Sequence, residues 1–479
     1  MVHSLVMGAE IELKLDLSTA SAALLGKCDL LKGSKSRRLV STYFDTPGLR
    51  LHEAGLALRI RQDGRRLVQT VKRRKGAAAG LFLRGEWEFA VDALAPVLDD
   101  RTPLPAALGS HGDALRQLFV LEVHRASKLV KEGASRIEVV VDQGQARALD
   151  RTASFNELEL ELLAGDPRDL FALARRIDRV APVRVGVLSK ADRGYRLVGQ
   201  LGRAIKAGKV FLEPGWTPDH ACAAIVADCL RHYRANEALL LLEPTGEALH
   251  QARVALRRLR SAHAVFAPLL RDPQSARLDL AVRRLSRVLG AARDLDVVWG
   301  AANEATRELL ATRREHAWKA VGSAIGGAAV RHLFIDLAEW AQFGDWRDAV
   351  NTAELRQMPL QEFAGAALDR RLRQVRRHGH HLPDLPDDAR HALRKDAKKL
   401  RYAAEFFGSL YSRSGKKKRR RRFMKALERL QGHLGKLNDQ AVEQALLGDG
   451  APDREAERAH LLEEARKARH ALLGTEPFW

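Results

Sequence analysis

Residues 157–162 read Glu-Leu-Glu-Leu-Glu-Leu, and this strict alternation decides how the first part of the chain folds. In a β-strand successive side chains point to opposite faces, so Glu157, Glu159 and Glu161 share one face and the leucines the other. The pattern occurs again at Glu10-Ile-Glu12-Leu-Lys14, at Leu58-Arg59-Ile60-Arg61, at Arg84-Gly-Glu86-Trp-Glu88-Phe89 and at Arg136-Ile-Glu138-Val-Val-Val-Asp142. One such strand is an ordinary amphipathic edge with its polar face in water. Five, carrying carboxylates and guanidinium groups together, imply a sheet curled so that a charged face lines a cavity. Carboxylates packed this closely repel one another unless metal or arginine neutralises them. They are hard donors suited to divalent cations, and the neighbouring Arg and Lys are suited to phosphates. The cavity reads as a site for a polyanion plus metal.

Around these strands, short β-like runs alternate with turn signals such as Asp45-Thr-Pro-Gly48 and Asp63-Gly64 up to about residue 200. The segment Pro167–Val180 interrupts them with helical spacing. A Gly/Lys-rich stretch over 201–215 reads as a linker, and long Ala/Leu/Arg-rich helical periodicity follows to the end. The expected class is α+β: a sheet domain over residues 1–200, then an all-α domain over residues 216–479. The 479 residues suffice for two sizeable cores.

The net charge of +21 points to an anionic partner. Residues 1–200 hold 32 Lys/Arg against 25 Asp/Glu, and residues 201–479 hold 49 against 35. The excess is therefore +7 and +14, with the helical half carrying more of it. Aromatics at 6% are thin for a surface that stacks single-stranded bases. Nonspecific nucleic-acid binding would still follow from charge alone. Cys28, Cys222 and Cys229 form neither a disulfide framework nor a metal spacing. With no signal peptide and no apolar run of membrane-spanning length, a cytoplasmic protein is expected.

The helical half contains an internal repeat. His250-x-x-Arg253-x-x-x-Arg257-Arg258-Leu-Arg260 matches His391-x-x-Arg394-x-x-x-Lys398-Lys399-Leu-Arg401. Each copy leads to a second element, Leu289-Gly290-Ala-Ala-Arg-Asp294 and Leu434-Gly435-Lys-Leu-Asn-Asp439. Two linked motifs recurring in order predict a duplicated unit, two pseudo-symmetric four-helix bundles with copies starting near residues 216 and 360. On a helix, His250, Arg253, Arg257 and Arg260 fall in a stripe roughly 80° wide, as do His391, Arg394, Lys398 and Arg401. Basic side chains three and four apart repel one another, a cost that falls when a polyanion bridges them. The run Lys416–Arg422 is a different signal, most simply a solvated basic segment.

The strand series resembles the CYTH domains, or triphosphate tunnel metalloenzymes, beginning with the ExExK pattern Glu10-x-Glu12-x-Lys14. The resemblance continues through Tyr43-Phe-Asp-Thr46, Leu58–Arg61, Gln69-Thr-Val-Lys72, Arg84-x-Glu86-x-Glu88, the Glu157/Glu159/Glu161 strand and Ser189–Tyr195. The helical half resembles a CHAD domain through the two His/Arg stripes and Arg293-Asp-Leu-Asp296. The order is that of bacterial CYTH–CHAD inorganic triphosphatases. This resemblance implies an eight-stranded antiparallel barrel whose lumen binds a triphosphate. Lys14, Arg59, Arg61, Lys72, Arg84 and Lys190 would then grip phosphate, with Arg125 a looser candidate. Glu10, Glu12, Glu159 and Glu161 would hold Mg²⁺ or Mn²⁺, and Glu86 and Glu88 would complete the lining. Metal-assisted attack of water would release orthophosphate and leave pyrophosphate. The CHAD resemblance implies binding of inorganic polyphosphate through His250, Arg253, Arg257, Arg260, His391, Arg394, Lys398, Lys399 and Arg401, and association with polyphosphate granules.

Two rival activities use the same grip on a triphosphate: cyclisation of ATP, or hydrolysis of an organic triphosphate such as thiamine triphosphate or a nucleotide. A third reading is a polyphosphate-binding protein with little catalysis. No Walker-type loop, His-Glu-x-x-His or Gly-x-Ser-x-Gly is present, which disfavours nucleotide-loop and zinc-hydrolase chemistry.

Overall fold

The computed structural model describes residues 11–73, 81–82, 86–199, 204–412 and 414–479. Glu10 and Arg84, both expected in the site, lie outside the described residues. The chain divides into two compact units. One consists of Met1–Ile205, Arg234–Glu243 and Ile325–Phe343, and the other of Lys206–Tyr233, Pro244–Ala324 and Gly344–Trp479.

The first unit is built on an antiparallel sheet. Its strands are β1 (Ile11–Leu17), β2 (Lys35–Asp45), β3 (Leu56–Asp63), β4 (Arg66–Arg73), β5 (Leu81–Phe82), β6 (Glu86–Val91), β7 (Arg116–Glu132), β8 (Ser135–Ala148), β9 (Arg151–Ala164) and β10 (Val183–Val185). They run in the order β10-β1-β9-β8-β7-β2-β3-β4-β6, with β5 also on β1. The antiparallel sheet agrees with the alternation read from the sequence, but the expected closed eight-stranded barrel needs correction. Among the described residues ten strands are formed, because β10 and β5 share the second edge of β1 and Leu81–Phe82 and Glu86–Val91 count separately. That run pairs with β1 at one end and with β4 at the other. Residues 83–85 fall between, so among the described residues the sheet is not closed.

Register places the charged residues on one face. Glu12 lies opposite Glu161, which lies opposite Glu138; Lys14 lies opposite Glu159; and Asp16, Glu157, Asp142 and Arg125 form one row over β1, β9, β8 and β7. At the other end of the sheet Tyr43, Arg59, Thr70 and Glu88 form a second row, and Lys72 faces Glu86.

The helices of this part are α1 (Thr19–Gly26), α2 (Arg50–Glu53), α3 (Leu104–Leu108), α4 (Arg168–Asp178) and α5 (Lys190–Val198). The face opposite the charges buries Leu56, Leu58, Ile60 and Val71 against Leu51 of α2 and Leu104 and Leu108 of α3. The charged face is itself part apolar: Tyr43, Phe119 and Phe155 pack against Ala191, Tyr195 and Leu197 of α5. Gly194 is needed there, since a Cβ on it would come within 2.0 Å of the Phe119 ring. The fully buried Asp45 ties this corner together. It accepts hydrogen bonds from the Leu51 and His52 amides and from the Tyr195 hydroxyl at 3.0 Å.

Ten further helices complete the chain: α6 (Pro218–Leu242), α7 (Gly246–Phe266), α8 (Pro273–Ala301), α9 (Glu304–Gly326), α10 (Ala328–Phe343), α11 (Ala353–Gln357), α12 (Leu360–His378), α13 (Asp387–Phe406), α14 (Ser414–Leu447) and α15 (Glu455–Leu473). The repeat read from the sequence maps onto them directly. Helices α6–α9 carry the first copy, with its two motifs on α7 and α8, and α12–α15 carry the second, with its motifs on α13 and α14. Helix α10 packs in the sheet unit against α4 and β10, where Arg331 and His332 both contact Asp178. The stretch read as a linker has no regular structure where it is described, yet it is packed: Val210 and Leu212 are buried and the Leu212 amide donates to Ser409. Cys222 and Cys229 are buried within α6, and burial pushes the Cys229 thiol up to about 12. No single helix among the described residues is long and apolar enough to cross a membrane.

Candidate functional site

The charged sheet face has an acidic half and a basic half. In the acidic half, Lys14 donates to Glu159 at 2.5 Å and stands 3.1 Å from Glu12. Lys190, the first residue of α5, is aimed into the same cluster because Ser189 and Asp192 close a capping box that fixes the start of that helix. Its ammonium lies 2.6 Å from Glu159, 2.8 Å from Asp142 and 2.9 Å from Glu157. Arg125 forks onto Asp142 at 2.6 and 2.8 Å and reaches Glu159 at 3.0 Å. Arg193, one turn beyond Lys190, bridges Glu157 and Asp16, both at 2.7 Å.

The electrostatics follow from this geometry. Burial raises a carboxylate's pKa, but Lys190, Arg193 and Lys14 outweigh it and bring Glu157 down to about 2. Glu159 is held well below its ordinary value against the same burial, by Lys14, Lys190 and Arg125. Burial works against the ammoniums of Lys14 and Lys190 as well, and the facing carboxylates overcome it, so both values are raised. The cluster is a mutually neutralised network held in its charged form.

The basic half has fewer partners. Arg59 has a buried Nε that donates no hydrogen bond. Lys72 pairs with Glu86 at 2.8 Å, and Arg61 stands 3.5 Å from Glu88, which also accepts from Thr70. Burial and then the neighbouring Arg59 bring Lys72 down to about 8, and burial with Arg59 also lowers Arg61. At Arg59, by contrast, burial is outweighed by Tyr43, Glu86 and Glu88, which raise the value. The charges of Lys72 and Arg61 are crowded and desolvated, and an incoming anion would relieve them.

A divalent cation can be tested against the carboxylates present. Asp142, Glu157 and Glu159 bring ligand oxygens within 4.8 Å of one another. The Lys190 ammonium stands among them, so that cluster already holds an internal cation. Glu12 offers a better opening. Its Oε1 is shielded from solvent with the Lys14 ammonium beside it at 3.1 Å, and the residue lies in the same row as Glu161 and Glu138. Hard carboxylate oxygens in such a row fit Mg²⁺ or Mn²⁺, with Lys14 yielding Glu12 to the ion. Of the four glutamates read as metal ligands, Glu12 and Glu161 sit in that row. Glu159 is engaged by three cations, and Glu10 lies outside the described residues.

In the helical unit α7 and α13 pack together, and the two stripes meet. Arg257 and Arg253 of α7 help lower the pKa of Arg394 on α13, behind burial, and Lys398 of α13 does the same to His250. Lys398 is brought down to about 6 by burial, then by Arg394, Arg257 and Arg401. His250 falls to about 4 through burial and then Arg293, Arg257 and Arg253. Buried Nε atoms of Arg257 and Arg394 donate no hydrogen bond. Arg253 instead pairs with Asp294 at 3.0 Å, and His391 bonds Asn438 at 2.9 Å. Two expected members turn elsewhere. Lys399 pairs with Asp396 at 3.1 Å, and Arg260 is influenced by Arg283 and Asp279 rather than by the other copy. Arg401 is ion-paired with Glu405 at 3.4 Å while still bearing on Lys398.

Sequence reasoning did not nominate Asp142, Glu157 or Arg193. Asp142 and Glu157 stood in the alternating strands, and Arg193 lies inside the Ser189–Tyr195 stretch, so the signal was available for all three.

The fold and site define a class of protein in which a charged antiparallel sheet precedes a duplicated helical module. Residues 8–195 match the family model of the CYTH domain and residues 224–448 that of the CHAD domain. The chain accordingly carries a CYTH domain followed by a CHAD domain. It is 30% identical over 203 residues to the inorganic triphosphatase of Haemophilus influenzae, a match covering 40% of this chain and 56% of that protein. The chain thus spans just over half the length of that relative. It is 27% identical over 448 residues to an uncharacterized protein of Mycobacterium tuberculosis, covering 84% of this chain and 82% of the other. The crystal structure of the CHAD domain from the plant Ricinus communis matches at 28% identity with a TM-score of 0.47, covering 56% of this chain and 96% of that one.

Proposed function

We propose that the sheet unit hydrolyses inorganic triphosphate to pyrophosphate and orthophosphate with Mg²⁺ or Mn²⁺, and that the helical unit binds inorganic polyphosphate. The observation that carries the reading is the division of one sheet face into carboxylates on β1, β8 and β9 and cations on β3 and β4, of which Arg61 and Lys72 are under-neutralised. The name of the Haemophilus influenzae relative and the CYTH match support the same activity.

Arg59, Arg61 and Lys72 are the residues that grip phosphate oxygens. Their desolvated charges make preorganised contacts that need little rearrangement as charge moves toward the leaving oxygen. Anion binding favours the charged form of Lys72. Glu86 and Glu88 orient the cations in the resting site and give them up to substrate. Glu12 and Glu161 hold the metal, which when bound neutralises phosphate oxygens and favours attack by water. Lys14, Lys190 and Arg125 keep Glu159 ionised and in place. No side chain is assigned as general base. In the helical unit, Arg253, Arg257, Arg394 and Lys398 grip successive phosphates of a chain, and this would bring the protein to polyphosphate granules in the cytoplasm.

The test is phosphate release from tripolyphosphate, ATP and long-chain polyphosphate with Mg²⁺ or Mn²⁺, with Glu12→Ala alongside. Release from tripolyphosphate, abolished in the variant, is expected. Cyclic AMP formed from ATP would overturn the assignment in favour of a cyclase. Preferential release from thiamine triphosphate or a nucleotide would overturn it in favour of an organic triphosphatase.

A further inference from the structure

We infer that Arg234, a residue of helix α6 outside the matched CYTH segment, is a positioning residue for the acidic half of the charged sheet face. It stands in the part of α6 that clusters with the sheet unit and is 2% exposed. Its Nε donates to the Val185 carbonyl of β10 at 2.9 Å, and its NH2 stands 3.3 Å from Asp16 Oδ2. Glu237, one turn along the helix, is its ion-pair partner on the other side.

Asp16 is where this contact enters the site. Its second oxygen receives Arg193 at 2.7 Å, Arg193 holds Glu157 at 2.7 Å, and Glu157 holds Lys190 at 2.9 Å. Lys190 in turn holds Glu159, which pairs with Lys14. The series Arg234–Asp16–Arg193–Glu157–Lys190–Glu159 is continuous and alternates in sign at every step. Asp16 lies on β1 two residues beyond Lys14 and four beyond Glu12, so an error in its position is passed along the strand that carries the nominated ligands. Arg234 fixes that strand twice, once through the Asp16 side chain and once through the backbone of β10, whose Val185 is paired with Leu15.

The role follows from charge bookkeeping. Arg193 serves two carboxylates, and with Arg234 present Asp16 shares its negative charge between two guanidiniums. Without Arg234, Asp16 draws more on Arg193, Glu157 loses part of its partner, and Lys190 shifts toward Glu157 and away from Glu159. Arg234 is not among the nominated phosphate or metal ligands; its link to the site's charges runs through Asp16, while its bond to the Val185 carbonyl supports β10 beside β1.

This inference rests on the triphosphatase reading, and the experiment separates the two. Arg234→Ala, Arg234→Lys, Asp16→Asn and the Arg234→Ala/Asp16→Asn double variant are assayed in the full chain for kcat and KM on tripolyphosphate. Thermal unfolding is followed in parallel. Arg234→Ala should lower kcat about 10- to 100-fold, the range typical of residues that orient site ligands. Arg234→Lys should recover part of it, and Arg234→Ala should cost much less once Asp16 is Asn, leaving only the share due to the Val185 carbonyl. Multiplicative losses in the double variant would overturn the inference, because a merely structural arginine acts independently of Asp16. So would an Arg234→Ala variant with wild-type kcat. Should the wild type release no phosphate at all, the activity reading fails. The same cycle is then read as tripolyphosphate affinity by calorimetry, where non-additivity supports Arg234 and additivity overturns it.

Discussion

Lys14 and Glu159 face each other in direct register across β1 and β9, ammonium to carboxylate at 2.5 Å, in a site where both are more than nine-tenths buried. A pair this deep is weak evidence of net stabilisation, because desolvating both charges offsets most of their attraction. Its importance lies in what happens when one partner is lost.

Replacing Glu159 with Gln leaves Lys14, Lys190 and Arg125 short of one carboxylate, and should cost about 3–5 kcal/mol of stability. The same residue sets an acid limit. Glu157 and Glu159 have depressed folded-state values, so their contribution is present above the ordinary carboxylate value near 4.5 and is lost as pH falls toward about 2. Chemical denaturation at a series of pH values should show stability declining across that window in the wild type and a shallower decline in Glu159→Gln.

Gly194→Ala should displace α5. The added methyl meets the Phe119 ring at 2.0 Å, and that ring is itself packed on Tyr43 and Tyr195. A cost of about 1–3 kcal/mol is expected from such overpacking. Because Lys190 and Arg193 ride on the same helix, phosphate release should fall further than the loss of folded protein explains. Activity normalised to the folded fraction checks this.

Binding of polyphosphate should take up protons. Lys398 is lowered to about 6, so at pH 7 it is mostly neutral in the free protein, while phosphate oxygens favour its charged form. Affinity should therefore rise as pH falls from 8 toward 6, by up to about tenfold per unit. In the unliganded protein the sign runs the other way. The unfolded chain binds the proton more readily between the folded value and the ordinary 10.5, so this lysine's contribution makes stability increase with pH over that range. Calorimetry in two buffers of different ionisation heat measures the uptake, and Lys398→Gln should remove most of it.

The convergence of α7 and α13 separates residues that share a sequence pattern. Arg257→Ala and Arg394→Ala should each weaken polyphosphate binding by about 1.5–3 kcal/mol, the range for hydrogen bonds to charged groups, and should lessen its salt dependence. Lys399→Ala should change binding little, because its ammonium is committed to Asp396. Titrations at several salt concentrations check both, and equal losses at all three positions would contradict the convergence.

Much of this was readable in the sequence. The period-two alternation of Glu and Leu assigns a face, and register then brings Glu12, Lys14, Glu159, Arg59, Lys72 and Glu86 to that face. The duplicated His/Arg pattern pairs α7 with α13 and α8 with α14. Closure and strand count were not readable, since they depend on how β5, β6 and β10 share edges, which no local pattern encodes. The neutralisation of Glu159 was equally hidden, because its partners Lys190 and Arg125 are 31 and 34 residues away. The two stripes read alike as isolated helices, and only packing distinguishes Arg257, facing the other copy, from Arg260, whose charged neighbours are Arg283 and Asp279. Arg234 carried no signal at all, being one arginine in a basic helical region.

The sheet unit draws on three separate stretches of chain, the last ending at Phe343, and the chain passes between units five times. During synthesis every strand has emerged by residue 185, yet α10 and the end of α6 follow much later. At roughly 5–20 residues per second the sheet waits on the order of 10 s for its last helix. Through that interval the Asp178 carboxylate and the edge of β10 lack the side chains that later cover them, so the nascent sheet is a natural client for chaperones, and a ribosome stalled before Phe343 would leave a well-paired but incompletely covered sheet.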